Sequence, residues 1–190
     1  TSQRLRYARL VLTARAAATI PATAENRGEA DRLIGSMLSA GLDAQALAWR
    51  NVVVKGSDGW AMLEMADPSP TTQVSGSDFD GYRSASDERK DQMAFAGLAG
   101  LGRFSPAELT RQAAAVRVDV TGANSWTRAI DAAGRRGDQG TVVLLAAAGM
   151  QARGWAPVSP EALYHIVSAM RACGLGNYAR MVAVEAITRV

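Results

Sequence analysis

The chain holds one histidine and one cysteine, His165 and Cys173, and their spacing limits its nucleophilic chemistry. Histidine is the usual general base near neutral pH, and a thiol nucleophile needs such a base within hydrogen-bond reach. Eight residues along one helix place the two roughly 12 Å apart, too far for a dyad. No serine stands in a Gly-x-Ser-x-Gly elbow either. His165 therefore reads as a partly exposed packing or partner contact, and Cys173 as a small buried core residue. One cysteine also excludes an internal disulfide and a multi-cysteine zinc site.

Carboxylates offer the next chemistry. Glu64, in Trp60-Ala61-Met62-Leu63-Glu64, is the acid most enclosed by its local sequence. Paired with a second acid it would suit a peptidoglycan-active or other hydrolytic helical domain, but no such partner is evident, and a solvated helix acid is the plainer reading. Asp78, Asp80, Gly81 and Asp87 follow part of the order of a calcium loop. Gly76 occupies the first ligand position and the bidentate glutamate is missing, so an Asx-type turn or helix start accounts for them better. The glycine-rich run from Gly97 to Gly102 lacks the Lys-Ser/Thr of a phosphate loop and reads as close helix packing. Arg128, Arg135 and Arg136 finish a helix at Gly137, where cations suit the dipole. Nucleic acid would require a denser basic face with interleaved aromatics. No cofactor or metal is expected, and the chain reads as non-enzymatic.

These residues must be positioned by helices. Hydrophobic residues make up 48% and aromatics 6%, and much of the apolar fraction is alanine in runs such as Ala113-Ala114-Ala115, the composition of close-packed helices. The net charge of +3 is spread along the chain, with no run of five like charges to form a basic arm. Arginine outnumbers lysine 19 to 2, which reads as the codon bias of a GC-rich bacterial genome. No apolar run approaches the ~20 residues of a membrane span, and no signal peptide is visible. The first residue is Thr1, so the chain also suits a trimmed form or the structural C-terminal part of a larger protein; cytoplasm and periplasm are not distinguished.

The most legible element runs from Ser159 to Arg189. Ser159 caps, Pro160 takes the first helical position, and Leu163, Ile166, Val167 and Met170 form one stripe. Gly174 ends that helix, and a second carries Tyr178, Met181, Val182 and Ile187 as apolar positions. Equivalent glycine-hinged pairs centre on Gly41, Gly102 and Gly137. The last three hinges stand 35 and 37 residues apart, while the step from Gly41 to Gly102 is 61. Near Gly102, Ser105-Pro106 with Glu108 predicts a capping box. A first helix over 4–19, with Leu5, Leu10 and Leu12 among its apolar positions, ends before Pro21. Asp43 is expected to cap a helix reaching about Val53.

The pattern of a turn glycine, a small residue five positions on and another twelve on resembles tetratricopeptide-type helical hairpins. Gly174, Ala179 and Ala186 carry it, as do Gly102, Ala107 and Ala114, over about two thirds of the chain. The resemblance implies a right-handed superhelix, an α-solenoid of about four hairpins, whose concave face binds a protein or peptide. It implies no chemistry. One all-α domain over 1–190 is expected, interrupted by an irregular insert at about 54–86. Trp60, Phe79, Tyr82 and Arg83 of that insert are the expected partner contacts. Trp126 and Trp155 are expected to cap the core between hairpins.

Overall fold

The computed structural model describes residues 3–69, 71–151 and 154–190, with the side chains of Gln3 and Arg4 left aside. These residues form helices and no strand, so the all-α expectation holds. The first half holds α1 (Gln3–Ala17), a 3-10 segment (Ala24–Glu29), α2 (Ala30–Ser39), α3 (Asp43–Leu47), α4 (Asp58–Ala66) and α5 (Gly76–Ala85). The second holds α6 (Glu88–Gly100), α7 (Pro106–Val116), α8 (Ser125–Arg136), α9 (Gln139–Gly149), α10 (Pro160–Ala172) and α11 (Gly176–Thr188).

Local stop and start signals act as their chemistry dictates. Gly41, Gly102, Gly137 and Gly174 all have φ between +72° and +87°, the left-handed geometry that a Cβ would strain. Each separates two helices at its expected place. Ser159 accepts the Ala162 N–H at 3.1 Å with Pro160 behind it. Ser105 likewise accepts the Glu108 N–H, but the Glu108 carboxylate turns to Arg111 instead of completing a box. The reciprocal box belongs to α8, between Asn124 and Thr127. Asp43 lies inside α3 rather than capping it, and that helix stops at Leu47, with Trp49 and Val53 buried in the turns beyond.

The region expected to be irregular is largely ordered. α4 buries Trp60, Ala61, Met62, Leu63 and Met65, and α5 buries Phe79 and Tyr82, so both contribute to the core. Of the calcium-like aspartates, Asp78 and Asp80 lie on α5, and Asp87 caps α6 by accepting the Lys90 N–H. Asp78 pairs with Lys55, and Asp80 with Arg83 and Arg111.

Global packing departs from a hairpin-by-hairpin stack. The α8/α9 and α10/α11 pairs do adjoin, through α8 on α10 and α9 on α10. The next neighbour of α10 and α11 is α6, which precedes both in sequence and makes the most extensive helix contact of the fold with α10. From α11 the packing continues to α4, then α2, then α1. Nearest-neighbour stacking from first hairpin to last is therefore replaced by a permuted order, with the last helix inserted against early ones. Small residues permit this. A Cβ on Gly100 would lie 2.8 Å from the Val167 Cβ, and one on Gly134 would lie 2.9 Å from the Ala169 Cα, so α6 and α8 approach α10 as closely as bare backbone allows.

Burial follows the same logic. α11 turns Ala179, Ala183, Val184, Ala186 and Ile187 inward and leaves Tyr178 and Met181 at 60% and 59% exposure, reversing two of its expected core positions. α1 buries Ala14 and Ala17, while Leu5 and Leu12 face outward. In both helices a crowded contact selects alanine over larger apolar side chains.

Candidate functional site

Three open cavities of about 330, 280 and 300 Å³ share walls and form one trough across the molecule. Arg6, Leu10 and Arg32 border the first two, and Asp31, Asp58 and Lys90 border the last two. The trough begins between α1 and α11, crosses α2 and α4, and ends where α5 meets α6.

Helical periodicity builds its first wall. Arg6, Arg9, Leu10 and Thr13 recur at i, i+3, i+4 and i+7 on α1 and face the trough together. Hydroxyls fix that wall to α2. Thr13 Oγ1 and Ser36 Oγ lie 3.0 Å apart, and the Ser36 hydroxyl donates to the Leu10 carbonyl at 2.6 Å. On the opposite wall Arg189 is held by the Glu185 carboxylate and lies 4.9 Å above the Tyr7 ring. Burial, with the Glu185 charge beside it, raises the Tyr7 phenol above its usual pKa. Arg32 is steadied by Glu29 at 2.6 Å. Arg6 and Arg9 have no carboxylate partner among the described residues.

The far end of the trough is acidic but internally satisfied. Asp31 accepts the Ser57 hydroxyl at 2.6 Å and the Gly59 N–H at 3.1 Å, joining α2 to the start of α4. Asp58 receives the Tyr82 hydroxyl at 3.2 Å and pairs with Lys90. Burial first, then the Asp58 charge, pushes the Tyr82 phenol far up, so that hydroxyl stays a donor.

The residues expected to meet a partner lie elsewhere in the architecture. Trp60, Phe79 and Tyr82 are 5%, 0% and 1% exposed. With Phe95 and Phe104 they form an aromatic cluster whose ring centroids stand 5.3–6.4 Å apart. They secure α4 and α5 to α6 and present nothing to a ligand, except that the Tyr82 hydroxyl edges the trough. Arg83 is half-buried, bound to Asp80 at 3.3 Å and to the Ala115 carbonyl at 3.4 Å. Trp126 braces its own hairpin, donating to the Leu145 carbonyl at 3.0 Å. Trp155 is buried, and Arg89 of α6 donates to its carbonyl at 3.1 Å.

His165 does meet a carboxylate. Its Nδ1 lies 2.9 Å from one Asp131 oxygen and 3.0 Å from the other, beside a cavity of about 240 Å³ that Arg135 and Ser168 also line. The other ring nitrogen, Nε2, is fully enclosed and has no hydrogen-bond partner. Nε2 has no surface from which to take a substrate proton in this geometry, and the Asp131 contact orients a buried side chain. Arg128, Arg135 and Arg136 sit exposed on α8. Cys173 is buried at the end of α10, as expected.

Glu64 is half-buried, and burial raises its carboxyl above the ordinary value. Asp67 closes the same helix. Burial works to raise it, but the Ser69 N–H, the Thr72 hydroxyl and Arg50 outweigh that effect and hold it below the ordinary value. Glu64 lines neither the trough nor the His165 cavity. Sequence reasoning missed the trough because its walls come from six helices, although the Arg6–Thr13 stripe was visible as a helical period. Comparison with protein-family models, curated proteins and solved structures finds no match.

Proposed function

We propose that the protein is a non-enzymatic helical module that binds a protein or peptide partner along the trough. The observation that carries this reading is its shape, three open cavities that share walls in a row between α1 and α6. An extended chain segment fills such a channel, whereas a compact ligand needs an enclosed cavity that covers most of its surface. Enclosure of His165 Nε2 supports binding over catalysis. Stacking of α8/α9 on α10/α11 favours the tetratricopeptide-like relationship for that part of the chain. A full superhelix would require α6 in another place.

Peptide display against the purified protein tests the proposal, with Thr188→Trp as the blocking variant because Thr188 borders the channel. Peptides enriched on the native protein should share a motif and lose binding to the Trp variant. Undiminished binding to that variant would place recognition elsewhere.

One observation favours a hydrolytic alternative. Glu64 and Asp67 stand three residues apart with carboxyls displaced in opposite directions, as a general acid and its ionised partner require. Lysis of peptidoglycan by the native chain, lost in a folded Glu64→Gln variant, would establish it.

A further inference from the structure

Resting on the trough as a peptide channel, we infer that its α1/α11 end is a carboxylate-recognition site for a short acidic stretch of the partner. Four guanidinium groups line this end, from Arg6, Arg9, Arg32 and Arg189. Two are already positioned by internal partners, Arg32 by Glu29 and Arg189 by Glu185 and the Tyr7 ring. Their own carboxylates offset part of their charge and fix where they stand. Arg6 and Arg9 are exposed, one helical turn apart, and have no carboxylate partner among the described residues. A guanidinium presents a planar fork of donors that matches a carboxylate, so two forks a turn apart fit two acidic side chains of one segment.

The rest of the channel limits how long that acidic stretch can be. Past Arg32 the walls carry Asp31 and Asp58, and Asp87 follows at the far end. Further negative charge on the ligand would meet these groups at close range. A continuous polyphosphate backbone is opposed for the same reason, and among the described residues no exposed aromatic lines the channel to stack bases. The occupant that fits is a peptide with acids at one end and neutral residues beyond. Polarity of this kind fixes the direction in which the chain lies.

The test uses a fluorescein-labelled peptide with a pair of glutamates at one end and a neutral remainder, beside its Gln-for-Glu twin. Anisotropy titrations at low salt should give about tenfold tighter binding of the Glu peptide, shrinking as salt is raised. An Arg6→Glu/Arg9→Glu variant should bind both twins alike with unchanged circular dichroism, and Arg6→Gln/Arg9→Gln should show an intermediate preference. Arg128→Glu/Arg136→Glu, on the distant α8, should keep the full preference.

Equal affinity of the native protein for the twins overturns the acidic assignment. If both twins then lose binding in Thr188→Trp, the peptide channel itself stands. A preference surviving charge reversal at Arg6 and Arg9 also overturns the inference. So does displacement of the Glu peptide by a single-stranded oligonucleotide that binds more tightly, in favour of nucleic acid. Binding of neither twin overturns both readings.

Discussion

Arg103 is a cation turned inward, only 3% exposed, and its guanidinium donates to the backbone carbonyls of Asp67 and Ser69. Burial pushes its pKa down, with the nearby Asp67 and Glu64 charges opposing that effect. It carries the polar connection after α4 where no regular ladder can. Arg103→Met should cost about 1–3 kcal/mol in urea denaturation, since two partly buried carbonyls lose their donors. Asp67 lies in the same connection with a folded-state pKa held down. A depressed carboxyl contributes stability that is complete above its ordinary value of 3.8 and disappears as pH falls through the lower folded value. Asp67→Asn should therefore flatten part of the acid-side decline in stability and change its shape little near neutrality. For the His165–Asp131 contact, Asp131→Ala should destabilise by about 1–3 kcal/mol, and Asp131→Asn should recover part of that because an amide oxygen still accepts from Nδ1–H.

Elements meet through small residues, and their tolerance can be measured. Gly100→Ala places a methyl 2.8 Å from the Val167 Cβ in a fully buried contact. It should cost about 1–3 kcal/mol as an overpacking change, whereas Gly28→Ala meets nothing within 4 Å and should stay near neutral. A comparison of thermal unfolding for the two separates crowding from any general effect of glycine removal. The glycine-rich run from Gly97 to Gly102 was correctly legible as close packing. Its partners were not. Gly97 faces Ala183 of α11 and Gly100 faces Val167 of α10, both far away in sequence.

Taken whole, the molecule is held by α11 wedged among α2, α4, α6 and α10. In an end-to-end stack the loss of a terminal hairpin helix leaves the remaining repeats folded, because each touches only its neighbours. Here deletion of residues 176–190 exposes the inner faces of four helices at once. The shortened chain should lose cooperative near-ultraviolet circular dichroism and bind a hydrophobic dye. A sharp unfolding transition kept by the deletion would contradict this wedge-like role.

Helix content, the four hinge glycines, the Ser159 and Ser105 caps and the α10 stripe were all readable along the chain. Each depends on interactions within a few residues: φ preferences, side chain-to-backbone bonds and a 3.6-residue period. Order in space was decided only by tertiary packing, since a hairpin's greasy face does not specify which other face will cover it. That choice sent Trp60, Phe79 and Tyr82 inward, turned Tyr178 and Met181 outward, and brought Arg6 beside Arg189 across the full length of the sequence.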